Sequence, residues 1–358
     1  MESLLHHRIR ATLHPVALIH FICSVTGCLL LLLTTSCITE DVPQDNMRGN
    51  FEACWQQLDR RYCFFDQKKE EYGLDWNEVY QRYSPSVNEE MTERQMFELL
   101  SNMICELRDG HVNLSAAHDV ARYGKWYDDY PANYSDSLER IYLGRTEEYQ
   151  TASGLKYRIL DDNIGYIRCS TFSNDFGDGN LHEIMRYLAL CEGLIIDVRN
   201  NGGGMITAAQ HLASLFFNEK TCVGYFSHKS GPGHNDFSAP IPIEIEPFTG
   251  LRWQKGVAVL TNRRTYSAAN AFVMYMKEAQ QATIIGDITG GGGGMPLNTE
   301  LPNGWTLRFS ACPSYTTAMK HIESGIQPDI KVDLLPNYLL TGRDNIIEMA
   351  RLHLKQKQ

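Results

Sequence analysis

The sequence predicts an α/β fold, and three observations predict it. Short apolar runs recur at Ile164 to Arg168, Leu194 to Val198 and Val257 to Leu260, the length expected of buried strands. Segments with helical spacing, His182 to Leu190 and Ile206 to Phe217, alternate with them. Ahead of this alternation, from Phe51 to Leu107, the apolar residues recur at helical spacing alone, so a helical part precedes the α/β part.

Residues 1 to 36 read as an export signal. Arg8 and Arg10 precede an apolar run from Val16 to Leu33, followed by Thr34, Thr35, Ser36 and Cys37. This pattern resembles a bacterial lipoprotein signal, which makes Cys37 the expected lipidation site and a membrane the expected attachment. A retained membrane helix stays open, because the run is nearly long enough to span a bilayer. On either reading the remainder faces outward in a bacterial cell envelope, toward the periplasm or the cell exterior.

Residues 37 to 45 are polar and acidic and read as a short tether. Residues 46 to 118 read as a helical N-terminal domain: Phe51, Cys54, Trp55, Leu58 and Tyr62 follow helical spacing. Thr92 and Gln95 form a capping-box signature for a helix from about Thr92 to Leu107 that stops before Asp109-Gly110. Residues 119 to 153 are aromatic and polar with little period, hence an irregular connection. Residues 154 to 336 carry the α/β pattern, with further strands expected at Thr283 to Gly286 and Trp305 to Phe309, and residues 337 to 358 read as a C-terminal helix.

The net charge of -10 and the lack of any Lys/Arg cluster argue against nucleic acid as a partner. Lys68-Lys69 and Arg263-Arg264 read as solvated pairs. Once Cys23, Cys28 and Cys37 are set aside with the signal and the lipid, an odd number of scattered cysteines remains. Free buried thiols are therefore expected, with no CxxC spacing for zinc or redox chemistry. The histidines show no metal-binding spacing, so no metal and no cofactor are expected.

Chemistry points to Ser267, in Thr265-Tyr266-Ser267-Ala268-Ala269-Asn270 after the apolar run Val257 to Leu260. A serine at a strand-to-helix junction places its hydroxyl at the positive end of a helix dipole, although serine there is also an ordinary N-cap. The loop Asp197-Val198-Arg199-Asn200-Asn201-Gly202-Gly203-Gly204 joins a strand to a helix and leaves backbone amides free for an anion or an oxyanion. Neither nucleotide-binding glycine pattern occurs, so no nucleotide is expected.

Together with Asp109-Gly110-His111 and Glu323-Ser324-Gly325-Ile326-Gln327-Pro328-Asp329, these motifs resemble the carboxy-terminal processing and tricorn-core family of serine peptidases, over roughly Asn46 to Pro336. The resemblance implies a core of the ClpP/crotonase type. Where the processing branch has a Gly-Lys-Gly base motif, this chain has Gly290 to Gly294 and no lysine. Lys277 is too far along its helix to substitute. The tricorn-like branch instead implies Ser267 as nucleophile, His111 as general base and Glu323 as the carboxylate on the histidine side. Gly110 stands where the tricorn protease has a relay serine, and Gly202 where proline is frequent in the family. Ala268 and one of Gly203 or Gly204 are the implied oxyanion donors. Asp197 and Arg199 read as structural.

The expected function is that of a membrane-anchored serine endopeptidase acting on peptides or proteins through an acyl-enzyme. The alternative is a noncatalytic lipoprotein on the same fold, with Tyr123, Trp126 and Tyr127 lining a cleft for a peptide or glycan. About 45 residues separate His111 from the Gly154 region, too few for a full PDZ module.

Overall fold

The computed structural model describes residues 43–356; the stretch that reads as an export signal, Cys37 and most of the expected tether lie outside the described residues. Four helices open the described chain: α1 (Met47–Arg61), α2 (Phe65–Tyr72), α3 (Trp76–Tyr83) and α4 (Glu93–Cys105). The capping box at α4 forms as the sequence predicts. Thr92 Oγ1 accepts the Gln95 N–H at 3.3 Å and Gln95 Oε1 accepts the Thr92 N–H at 2.9 Å. Short strands β1 (Asn113–Ser115) and β2 (Val120–Arg122) follow. The connection that lacks a period contains a 3₁₀ turn (Lys125–Tyr127), α5 (Asp136–Leu143) and β3 (Gln150–Ala152).

From there strands and helices alternate: β4 (Leu155–Ile159), β5 (Ile164–Arg168), α6 (Asp178–Leu188), β6 (Gly193–Asp197), α7 (Ile206–Ser214), β7 (Thr221–Phe226), β8 (Ile241–Ile245), β9 (Val257–Thr261), α8 (Ala268–Lys277) and β10 (Ala282–Gly286). The chain closes with β11 (Gly294–Glu300), β12 (Thr306–Tyr315), β13 (Ile330–Lys331), α9 (Pro336–Leu340) and α10 (Asn345–Gln356). One seven-stranded sheet has the order β13-β10-β9-β6-β5-β4-β3, parallel from β13 to β5. Every residue of β5, β6 and β9 is buried, which is why they read as continuous apolar runs without alternation.

On one face, α6, α7 and α8 pack into the largest core cluster; on the other, α10 brings Ile346, Ile347, Ala350 and Leu354 against Tyr166, Ile195 and Leu260. The second sheet is antiparallel, in the order β2-β1-β12-β7-β8, with β11 also on β12. Strand β12 extends well past Phe309, because Ser310, Cys312 and Pro313 interrupt the apolar signal while the backbone continues to pair with β11 and β7. The opening helices do not close a core of their own. Phe51, Leu58, Phe97 and Leu100 share one with Leu307, Phe309 and Ala311 of β12. That shared core carries the chain around His111 up to the α/β sheet.

The cysteines of the described residues are free thiols; Cys54, Cys63, Cys169 and Cys191 are buried as expected, whereas Cys105, Cys222 and Cys312 are half-buried. Among the described residues no helix is long and apolar enough to cross a membrane.

Candidate active site

Ser267 sits between β9 and α8 with φ 57° and ψ -123°, a backbone region that L residues other than glycine rarely occupy. The turn is held on both sides: the Ser267 N–H donates to the Gly291 carbonyl at 2.9 Å and the Tyr266 N–H to the Asn201 carbonyl at 2.9 Å. The Ser267 side chain does not cap the helix. Its Oγ lies 2.9 Å from Nε2 of His111 instead, a contact between residues 156 apart in sequence.

His111 reaches this point through the turn after α4. Asp109 Oδ1 accepts the His111 N–H at 2.7 Å, and Asp109 Oδ2 accepts the Ser310 hydroxyl of β12 at 2.8 Å. Burial pushes the imidazole pKa below its ordinary value; the Asp109 charge opposes that shift and the Arg308 charge adds to it. The ring therefore stays neutral, the form that accepts a proton from a hydroxyl.

Glu323 does not hydrogen-bond to His111. Its Oε2 accepts the Gly293 N–H at 2.9 Å, and its Oε1 lies 3.4 Å from Lys68 Nζ. Burial and the Asp109 charge raise its pKa well above the usual carboxylate range, against the lowering effect of Lys68. Lys68 corrects the sequence reading: it is 4% exposed rather than solvated. Although burial opposes its charge, Glu323 and Asp109 raise its pKa and keep it ionised. The Glu323 loop is fastened to α8 by Asn270, whose Nδ2 donates to the Ile322 carbonyl at 2.9 Å and whose Oδ1 accepts the Thr289 hydroxyl. Nothing in the sequence marks Asn270 or Lys68 for these roles, because their partners lie 52 and 255 residues away.

The glycine loop packs directly against the serine turn. A Cβ on Gly203, at φ 98°, would stand 2.8 Å from the Ala268 nitrogen, so only glycine fits there. The Gly203 N–H is engaged by Asn201 Oδ1 at 2.9 Å. Ala268, the first residue of α8, has an N–H without an intrahelical acceptor. Gly204 and Ser267 both line a cavity of about 690 Å³ whose walls include Ile206, Phe226, Ile243, Ala271, Tyr275 and Ile322. Both cations on its wall, Lys220 and Arg308, are exposed, and Lys220 is paired with Glu244 and Glu246.

Around this centre other side chains have structural partners. Asp197 and Arg199 are structural, joined at 2.6 Å and fully buried with Asp344. Arg263 is not a solvated charge: its guanidinium donates to the carbonyls of Trp126, Thr289 and Ser324. Trp126 stacks on Tyr266 and Tyr127 lies under Arg264, so these aromatics brace the serine turn and are not on the cavity wall. His321 packs on Phe64 and Tyr315. Lys277 is paired with Asp329 at 2.5 Å. Among the described residues no cluster of His, Cys, Asp or Glu could hold a metal ion.

A hydroxyl hydrogen-bonded to a neutral imidazole, beside a free helix-start amide and a glycine loop, is the arrangement of a serine-dependent acyl-transfer site. Residues 163–332 match peptidase family S41 and residues 43–105 match the tricorn protease C1 domain. The chain belongs to peptidase family S41. It is 44% identical to a presumed peptidase from Parabacteroides merdae, whose crystal structure superposes with a TM-score of 0.82 over 87% of this chain and 97% of that one. It is 30% identical over 184 residues to a carboxyl-terminal-processing protease of Synechocystis, which is 49% of this chain and 40% of that protein. The fold is also that of mature CPAF, at 13% identity and a TM-score of 0.64 over 86% of this chain and 98% of that one. The chain thus spans about two fifths of the length of the curated relatives it matches.

Proposed function

We propose that this chain is a serine endopeptidase that forms an acyl-enzyme on Ser267, with His111 as general base. The 2.9 Å contact between His111 Nε2 and Ser267 Oγ carries this reading. His111 takes the hydroxyl proton as Oγ attacks the peptide carbonyl, then returns it to the leaving amine. The Ala268 amide and the Gly204 amide stabilise the oxyanion, the Gly203 N–H being engaged by Asn201. Glu323 acts on the histidine side through the loop that it anchors on Gly293 and Lys68. The apolar cavity receives the side chain on the acyl side of the scissile bond. A fluorophosphonate probe is expected to form one adduct, on Ser267, that His111→Ala abolishes and Lys277→Ala leaves intact. Tight peptide binding by a folded protein that never forms this adduct would make it the noncatalytic lipoprotein instead.

The pH profile tests the base independently. With the imidazole pKa lowered by burial, kcat/KM is expected to rise with pH through a value below the ordinary histidine range. Asp109 favours the imidazolium and Arg308 disfavours it. Asp109→Asn is therefore expected to move that limb to lower pH, and Arg308→Gln to higher pH. Shifts in the same direction would exclude His111 as the titrating group.

We further propose that the protein is acylated on Cys37 and faces outward from a bacterial membrane. The apolar run, the small residues before Cys37 and the acidic tether after it support this address. Wild-type protein is expected in the detergent phase of a partition assay and Cys37→Ala in the aqueous phase. Retention of Cys37→Ala in detergent points to the helix as anchor.

A further inference from the structure

Two buried polar atoms beside the catalytic pair make no hydrogen bond: Nδ1 of His111, turned away from Ser267, and the hydroxyl of Tyr266. They belong to neighbouring rings, whose centroids are 5.0 Å apart at 59°. Tyr266 is held rigidly, 8% exposed, with Trp126 stacked on it at 4.5 Å. A Cβ on Gly110 would stand 2.9 Å from the Tyr266 hydroxyl, so the bare backbone at 110 leaves the phenol its place beside the histidine turn. The Gly294 backbone acts on the imidazole and the Gly110 backbone on the phenol, each outside the geometry of a full hydrogen bond.

If Nε2 accepts the serine proton, the neutral ring carries its own proton on Nδ1, and that N–H needs an acceptor to hold the tautomer. A buried polar atom left unpaired carries the full desolvation cost of that group. Buried waters serve such atoms, typically with about three hydrogen bonds each.

We propose that one bound water links Nδ1–H of His111 to the hydroxyl of Tyr266, making Tyr266 a positioning residue that fixes the imidazole tautomer and tilt. The proton stays on Nδ1 throughout; the water accepts from it and hydrogen-bonds to the phenol. Burial, then the charges of Asp109 and Glu323, keep the phenol un-ionised. The mechanistic role rests on the reading of His111 as base, but the water site does not.

A crystal structure of the wild-type protein that resolves ordered water is the direct test. A water within about 3.2 Å of both atoms is expected. Nδ1 donating straight to the Gly294 carbonyl, or a water on Nδ1 that does not touch Tyr266, overturns the proposal. In solution, wild-type protein is expected to show a protected imidazole N–H resonance far downfield, lost in Tyr266→Phe. The same variant is expected to lower kcat at least about tenfold with KM within about twofold, and to move the acid limb of kcat/KM to lower pH, since an acceptor for Nδ1–H favours the imidazolium. A lower melting temperature with the resonance and the limb unchanged would reduce Tyr266 to packing. A protein that holds the water but hydrolyses no peptide and takes no fluorophosphonate keeps the site and sinks the peptidase reading.

Discussion

Ser267→Ala is expected to lower peptide turnover by a factor on the order of 10⁶, and His111→Ala by a similar factor. The double variant is expected to be no worse than either single one, because hydroxyl and imidazole act as one unit and each is idle without the other. The fold should survive. The Ser267 hydroxyl caps no helix, and the turn is held by backbone bonds from Tyr266 and Ser267 to Asn201 and Gly291 that alanine keeps. Turnover per folded molecule, with protein concentration from absorbance and a melting curve for each variant, measures this. If His111→Ala retained wild-type turnover, Ser267 would need another base; Lys277, ion-paired with Asp329 at the far end of α8, offers none.

Arg199→Met is expected to destabilise the fold by about 3–5 kcal/mol, the largest stability loss anticipated for a residue outside the reacting groups. The guanidinium donates to both oxygens of Asp197, at 3.0 and 2.6 Å, to Asp344 at 2.8 Å and to the Asn133 carbonyl at 3.2 Å. Removing it strands two carboxylates that are 0% and 1% exposed. Burial raises the Asp197 pKa, and Arg199 is the main group that reverses this and holds the carboxyl below its usual range. The loss also reaches the site, since Arg199 begins the loop that places Gly203 against Ser267, and Asp344 caps α10 through the N–H groups of Ile346 and Ile347. Urea unfolding at neutral pH measures it. Replacing Asp197, Arg199 and Asp344 together by apolar residues should recover part of the loss, because no charge is then left buried alone. A change within about 1 kcal/mol for Arg199→Met would mean that water reaches these carboxylates.

Strong local signals agree with the structure, whereas the stretch read as one C-terminal helix from 337 breaks into α9 and α10. The capping box at Thr92 and Gln95 forms, and the buried runs at Ile164, Leu194 and Val257 become β5, β6 and β9. The readings that fail are those that assign an environment from neighbours in sequence. Lys68 stands in a polar run, Phe65 to Tyr72, yet it faces Glu323; Arg263 stands beside another arginine, yet it ties three loops together. Residues 119 to 153 look featureless because Trp126 is ordered by Tyr266, a residue 140 positions later.

Periodicity, caps and glycine placement, all set by backbone sterics and near-neighbour hydrogen bonds, were enough by themselves to determine the α/β class, the helical lead, the serine turn and the glycine loop. The family resemblance that the motifs carry implied Ser267, His111 and Glu323 as the reacting trio. Only the tertiary structure decided that His111 touches Ser267 while Glu323 turns to Lys68 and Gly293, and that Tyr266 stands beside the imidazole where Gly110 leaves room. The reason is physical: a burial penalty and an ion pair depend on which segments the core brings within a few ångströms, and that distance is absent from any local pattern of residues.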